Sequence, residues 1–165
     1  MVQVVRFARS GRAKVRPLTK RYTSEVIVFH LKDRTFEIYE ANMHGEFLED
    51  GFHCYLEITT KEIEFEESNW APSLNHQGLI LKAKSLEDLD GLMIEWSSEN
   101  NPHPEVGMLS VFGHAETNNN KITFGSASAQ ELNFSWSGMG DVMWNSEFGS
   151  DVQFSVSGKL KVTMV

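Results

Sequence analysis

One cysteine, four prolines and no long apolar run set the first limits on this chain of 165 residues. A lone Cys54 excludes an intramolecular disulfide framework, so a packed core has to hold the fold. No stretch approaches the ~20 apolar residues that a helix needs to cross a bilayer. A leader peptide is not expected, because Arg6 interrupts the apolar residues 2–5 and no small-residue cleavage site follows. One free thiol and no export signal together predict a cytoplasmic protein.

The familiar chemical motifs are absent too. No glycine-rich phosphate loop, dinucleotide fingerprint or Gly-x-Ser-x-Gly elbow occurs. The turn-like Ser137-Gly138-Met139-Gly140 has no lysine and no helix after it, and reads as a hairpin. Six histidines (His30, His44, His53, His76, His103 and His114) are scattered, with no pair at i+2 or i+4 and no Cys-x-x-Cys. A cupin-like barrel would carry a His-x-His pair followed by Glu, and that spacing is missing. No metal, no cofactor and no catalytic residue is therefore assigned, and the chain reads as non-enzymatic.

Positive charge is scarce outside one place. Residues 1–21 hold seven bases (Arg6, Arg9, Arg12, Lys14, Arg16, Lys20 and Arg21) and no acid, while the rest of the chain holds eight bases against all 23 acids. The basic segment has strand composition and a Ser10-Gly11 turn signal, which fits a hairpin or an arm ordered on binding. With Phe7 and Tyr22 interleaved it suits phosphates and a stacked base, so nucleic acid is one candidate partner. Pairing with the chain's own carboxylates is the competing reading, for instance as a cross-strand ladder opposite Glu62, Glu64 and Glu66.

Acid dominates elsewhere. Residues 37–67 carry ten acids against Lys61 alone, and residues 85–105 carry six acids and no base. Glu62, Glu64, Glu66 and Glu67 cluster, the first three on one outward strand face. Equivalent solvated carboxylates do not make an acid–base pair, which needs two different environments. They do make a field that attracts a basic partner.

What remains is strand pattern. Apolar residues alternate with polar ones at 36–41, 52–58 and 63–65, and short strands follow at 79–84, 92–96, 108–115, 121–126, 131–137 and 141–145. The run 25–31 is nearly all apolar and suits a strand buried on both faces. Residues 67–78 and 97–107 read as loops. Ser85 with Asp88 predicts a capped short helix near 85–91, ended by Gly91. Cys54 falls on the inward side with Phe52, Leu56 and Ile58, and His53 on the other.

The last segment, 152–164, alternates throughout. Its 13 residues would span roughly 44 Å if straight, against a radius of gyration of about 15 Å for a domain of this size. It must curve, and Gly158 at an inward position marks the bend. The chain thus reads as a single mainly β domain, 1–165, whose curved antiparallel sheet forms a barrel or curled sandwich.

The leading expectation is a binding protein that presents an acidic surface to a basic protein, as an inhibitor or immunity-type factor does. Glu62, Glu64, Glu66, Glu67 and Trp70 are the candidate contacts, Trp70 because it stands in a loop-like stretch beside Pro72. A β-barrel that binds or acts on a small apolar ligand is the alternative, with Trp96, Trp136 and Trp144 among the residues that would line or fill its interior.

Overall fold

Alternating side chains on successive strands produce one continuous inner surface, and the sheet curls to bury it. The computed structural model describes residues 27–65, 67–142 and 148–165. The basic segment 1–21 lies outside the described residues, as do Glu66, Trp144 and Glu147. Twelve strands are present among the described residues: β1 (Val28–Leu31), β2 (Arg34–Leu48), β3 (Gly51–Thr60), β4 (Ile63–Phe65), β5 (Ser68–Trp70), β6 (Ser73–Leu81), β7 (Met93–Trp96), β8 (Gly107–Ser110), β9 (His114–Glu116), β10 (Asn118–Ala127), β11 (Glu131–Val142) and β12 (Gly149–Met164). Ten of them form one sheet in the order β7-β10-β11-β12-β1-β2-β3-β6-β8-β9, curled into a half-barrel, while β4 and β5 form a separate ribbon.

The strand pairs are antiparallel with one exception. β12 pairs with β1 from Phe154 to Ser157, then runs parallel to β2 from Lys161 to Met164. The short β1 is thus a wedge between two long strands. At its mouth the Ile27 side chain lies over Gly158, where a Cβ would stand 2.5 Å from Ile27 Cγ2 and φ is +156°. Gly158, where the bend is expected, is the first residue of β12 past its pairing with β1. Register shifts after Ile38, Cys54, Asn118, Phe124 and Gly140 add further local twist to the sheet.

Strands β8 and β9 turn back against β11 through a corner. The chain passes from β9 to β10 at Thr117, whose N–H donates to Gly107 O at 2.7 Å. Leu109 of β8 then packs into the space left by Gly140 of β11, where a Cβ would approach Leu109 Cδ2 to 2.8 Å. This explains why Ser137–Gly140 is not a hairpin. These residues continue β11 in register with β12, and their glycines make room for Phe154 and Leu109 rather than turning the chain.

Other local expectations are corrected in the same way. β1 is buried on one face only: Phe29 and Leu31 point in, and His30 is exposed and bonds Thr35 Oγ1. Residues 67–78 hold β5 and most of β6 rather than a loop, because Leu74 and His76 alternate inward. The segment 108–115 is two strands split by a turn at Phe112, where φ is +57°. Near 85–91 only one 3-10 turn forms, Glu87–Leu89. Ser85 and Asp88 bond each other, Asp88 N–H donating to Ser85 Oγ at 3.3 Å and Ser85 N–H to Asp88 Oδ2 at 3.1 Å, but the residue at the N-cap of the turn is Leu86, which makes no side-chain cap bond. Leu89 is the buried residue that this turn supplies, and the chain moves straight on to β7.

Trp136, Phe29, Phe36, Phe52 and Phe124 are each under 2% exposed, and Trp96 and Cys54 are buried as the strand parity requires. Among the described residues no helix is long and apolar enough to cross a membrane.

Candidate binding face

Because Ala41, Met43 and Gly45 of β2 face inward, Glu40, Asn42, His44 and Glu46 face outward. β3 does the same with His53, Tyr55 and Glu57. Register then sets His44 beside Tyr55 and Glu46 beside His53. The His44 and Tyr55 rings stack, with centroids 5.4 Å apart and planes inclined by 18°. Tyr55 donates its hydroxyl proton to Glu57 Oε2 at 2.7 Å, and that hydrogen bond pushes the phenol up to about 12. His53 bonds Asp50 Oδ1 at 2.7 Å, which holds the carboxyl below its ordinary range.

A groove of about 440 Å³ runs across this face. Glu46, His44 and Tyr55 line one side, β6 from Gln77 to Ile80 lines its middle, and Pro104 with Glu105 forms the opposite wall. Among the described residues, no Lys or Arg lines this groove. After Arg34, strands β2, β3, β6, β8 and β9 contain no Lys or Arg. Lys161 of β12, in register with Asn42, stands at the margin. Elsewhere lysines are tied to carboxylates of their own: Lys61 to Glu37, Lys121 to Glu95 at 2.9 Å and Lys159 to Glu131 at 2.8 Å. A second groove, of about 350 Å³, lies on the outer side of β1, β11 and β12 and is lined by His30, Lys32, Ser137, Gln153 and Ser155. No carboxylate is among its lining residues, in contrast to the first groove.

Beneath the wall at Pro104 lies a polar cluster that no sequence motif announces. His76 is fully buried, and its ring meets Trp96 at 5.3 Å and His103 at 5.5 Å, each nearly perpendicular. His76 Nδ1 accepts from Gly78 N–H and His103 Nδ1 accepts from Ile80 N–H, both at 3.3 Å. The proton of each neutral ring therefore sits on Nε2, and both Nε2 atoms are buried without a protein partner. Burial pushes His76 down to about 4, with the charge of His103 adding to it, and burial also lowers His103. A ring whose Nδ1 accepts and whose Nε2 carries the proton has no lone pair to give a metal. Among the described residues no three His, Cys, Asp or Glu side chains gather closely enough to hold one.

The residues singled out from sequence are placed as follows. Glu62, Glu64 and Glu67 are exposed, and Glu66 lies outside the described residues. Of the three, Glu64 lies in β4 and pairs with Asn69 of β5, and none is among the residues that line the groove. Among the described residues β4 pairs with β5, and the basic segment expected opposite the glutamates lies outside them.

Trp70 is not in a loop. It is a β5 residue only 5% exposed, with Phe36 edge-on at 5.1 Å and Phe112 stacked at 4.8 Å. The exposed ring of that stack is Phe112. His44, Tyr55 and Glu105 were missed. Their signal was present as outward parity at 44 and 55, but nothing in the chain's order reveals that residue 105 faces them.

Comparison with protein-family models, with curated proteins and with solved structures finds no match to this chain.

Proposed function

We propose that this chain is a non-enzymatic binding protein whose acidic outer face engages a basic protein, as an inhibitor or immunity-type factor would. The observation that carries the reading is the groove itself: a stacked His44–Tyr55 pair flanked by Glu46 and Glu105, with no Lys or Arg among the described lining residues. An arginine side chain suits such a site, since its planar guanidinium stacks on rings and pairs with carboxylates in one geometry. Glu57, bonded to Tyr55, and Glu40 extend the same negative field and favour rapid encounter with a cationic surface.

The apolar-ligand alternative has less support, because the inward positions where such a ligand would sit are filled by Trp136, Phe29, Phe36, Phe52 and Phe124.

The test is binding of a fluorescent arginine-rich peptide, followed by anisotropy from low to high salt, beside pull-downs from lysate at the same ionic strengths. Salt-sensitive binding that weakens in Glu46→Gln and Glu105→Gln is expected. Peptide binding unaffected by both substitutions, or no protein recovered at any ionic strength, overturns the reading.

A further inference from the structure

β8 covers β6 only as far as the pair His76–Gly107. Past that point the N–H groups of Gly78 and Ile80 have imidazoles instead of a strand as acceptors: His76 for Gly78 and His103 for Ile80. The first ring belongs to β6 itself. The second comes from the 97–106 loop, so the His103–Ile80 bond joins two separate elements.

That part of the loop is one stiff piece. Asn101 accepts from His103 N–H at 3.0 Å and donates to Glu105 O at 2.8 Å, while Pro102 and Pro104 fix the backbone on either side of His103. Whatever holds His103 therefore holds Pro104 and Glu105, the far wall of the acidic groove. At its other end the loop is tied by Ser98 N–H to Asn118 Oδ1 at 2.9 Å, a bond that involves no titratable group.

We propose that His103 is a proton-sensitive latch that fixes the Pro104–Glu105 wall to the edge of β6. Its consequence for partner binding rests on the reading of the groove above; its test does not. The latch closes only with a neutral ring, because a proton on Nδ1 would face the Ile80 N–H and leave two donors opposed. The titratable groups at the contact are His103, His76 and Glu105. β7 brings Trp96, β11 brings Trp136, the corner before β10 brings Thr117 and β3 brings Leu56, none of which titrates. Burial around both rings disfavours their charged forms, which keeps the latch closed near neutrality. On acidification the charge of one ring opposes that of the other, and separating the loop from β6 relieves the opposition.

The experiment is site-resolved amide hydrogen exchange on the full chain, each rate divided by its intrinsic rate at that pH. In the native protein, Ile80 protection should fall about tenfold between pH 7.5 and 4.5 by local opening, while the slowest-exchanging amides of β10 and β11 should follow only the global stability read from urea unfolding at each pH. His103→Ala should show the open-latch value of Ile80 already at pH 7.5. His103→Gln, whose side-chain carbonyl accepts without titrating, should hold Ile80 protection level across the range. If Ile80 exchanges alike in His103→Ala and the native chain at pH 7.5, there is no latch. If His103→Gln follows the native pH profile, the latch is not proton-sensitive. An arginine-rich peptide that never binds, with Ile80 still following His103, refutes the groove reading and leaves the latch standing.

Discussion

The Trp136 indole N–H donates to Asn120 Oδ1 at 2.9 Å in the interior, with Asn120 itself 2% exposed. Asn120→Ala leaves the indole N–H buried and unpaired, which costs about 1–3 kcal/mol. Adding Trp136→Phe removes the orphaned donor, so the double variant should lose less than the two single losses together. Urea midpoints for the four proteins check this. Equal midpoints for Asn120→Ala and the native chain would mean that the bond contributes nothing.

Gly158 is the second position where a small change should be felt. Its φ of +156° and the Ile27 side chain above it leave an added Cβ both strained and crowded. Gly158→Ala should destabilise the chain by about 1–3 kcal/mol. Ile27→Ala in the same chain should restore the part due to crowding and not the part due to backbone strain. Thermal melts of single and double variants separate the two.

Stability should also depend on pH, and the sign is fixed by burial. An unfolded histidine takes up its proton near 6.5, whereas folded His76 does so at about 4. Between those values the unfolded state binds more protons, so stability is full above about pH 6.5 and falls as pH drops toward 4. The loss reaches about 3 kcal/mol at the lower end, in order of magnitude. Urea unfolding at pH 7.5, 6.0 and 5.0 should show a falling midpoint, and a shallower fall in His76→Gln. A flat profile in the native protein would contradict a neutral, buried ring.

Cys54 offers a simple chemical check. It is 5% exposed, and burial pushes its thiol up to about 12, so almost no thiolate exists at neutral pH. A thiol reagent should label it only as fast as the chain opens, and much faster in denaturant. Rapid labelling of the native protein at pH 7.5 would show that this part of β3 is not packed as described.

At the groove, Tyr55→Ala removes the ring that stacks with His44 and should weaken arginine-peptide binding several-fold, about 0.5–1 kcal/mol for an exposed cation–ring contact. A lysine-rich peptide should be less sensitive to the same change, since ammonium does not stack as guanidinium does. Parallel titrations of the two peptides decide whether the site reads planarity or only charge.

Parity was the part of this structure that the chain states openly. Phe52, Cys54, Leu56 and Ile58 had to share a face once they were assigned to a strand, and so did the inward residues of 152–164, with Gly158 at their bend. Turn residues were less reliable guides. Gly138 and Gly140 look like turn formers, but they serve Phe154 and Leu109, neighbours that only the curled sheet supplies. Trp70 beside Pro72 looked exposed because the rings that cover it, Phe36 and Phe112, come from other strands. The groove was half legible: β2 and β3 are joined by a tight turn, so alternation alone sets the outward His44 and Tyr55 on neighbouring strands. The wall at Glu105 and the His76–His103 contact join segments far apart in the chain, and no local spacing encodes them.

β12 has a consequence for how the protein is made. Its sixteen residues complete β11 on one side and β1 and then β2 on the other, so Val28 waits for Ser157 and Asn42 for Lys161. A nascent chain that has emerged only as far as β11 holds two unfinished edges, with Phe29, Phe36 and Trp136 still uncovered beside them. Contacts this distant in sequence are slow to form, and open edges of this kind invite pairing with other chains. Synthesis therefore passes through a window of exposure that ends only when the strand made last among those described reaches the two made first.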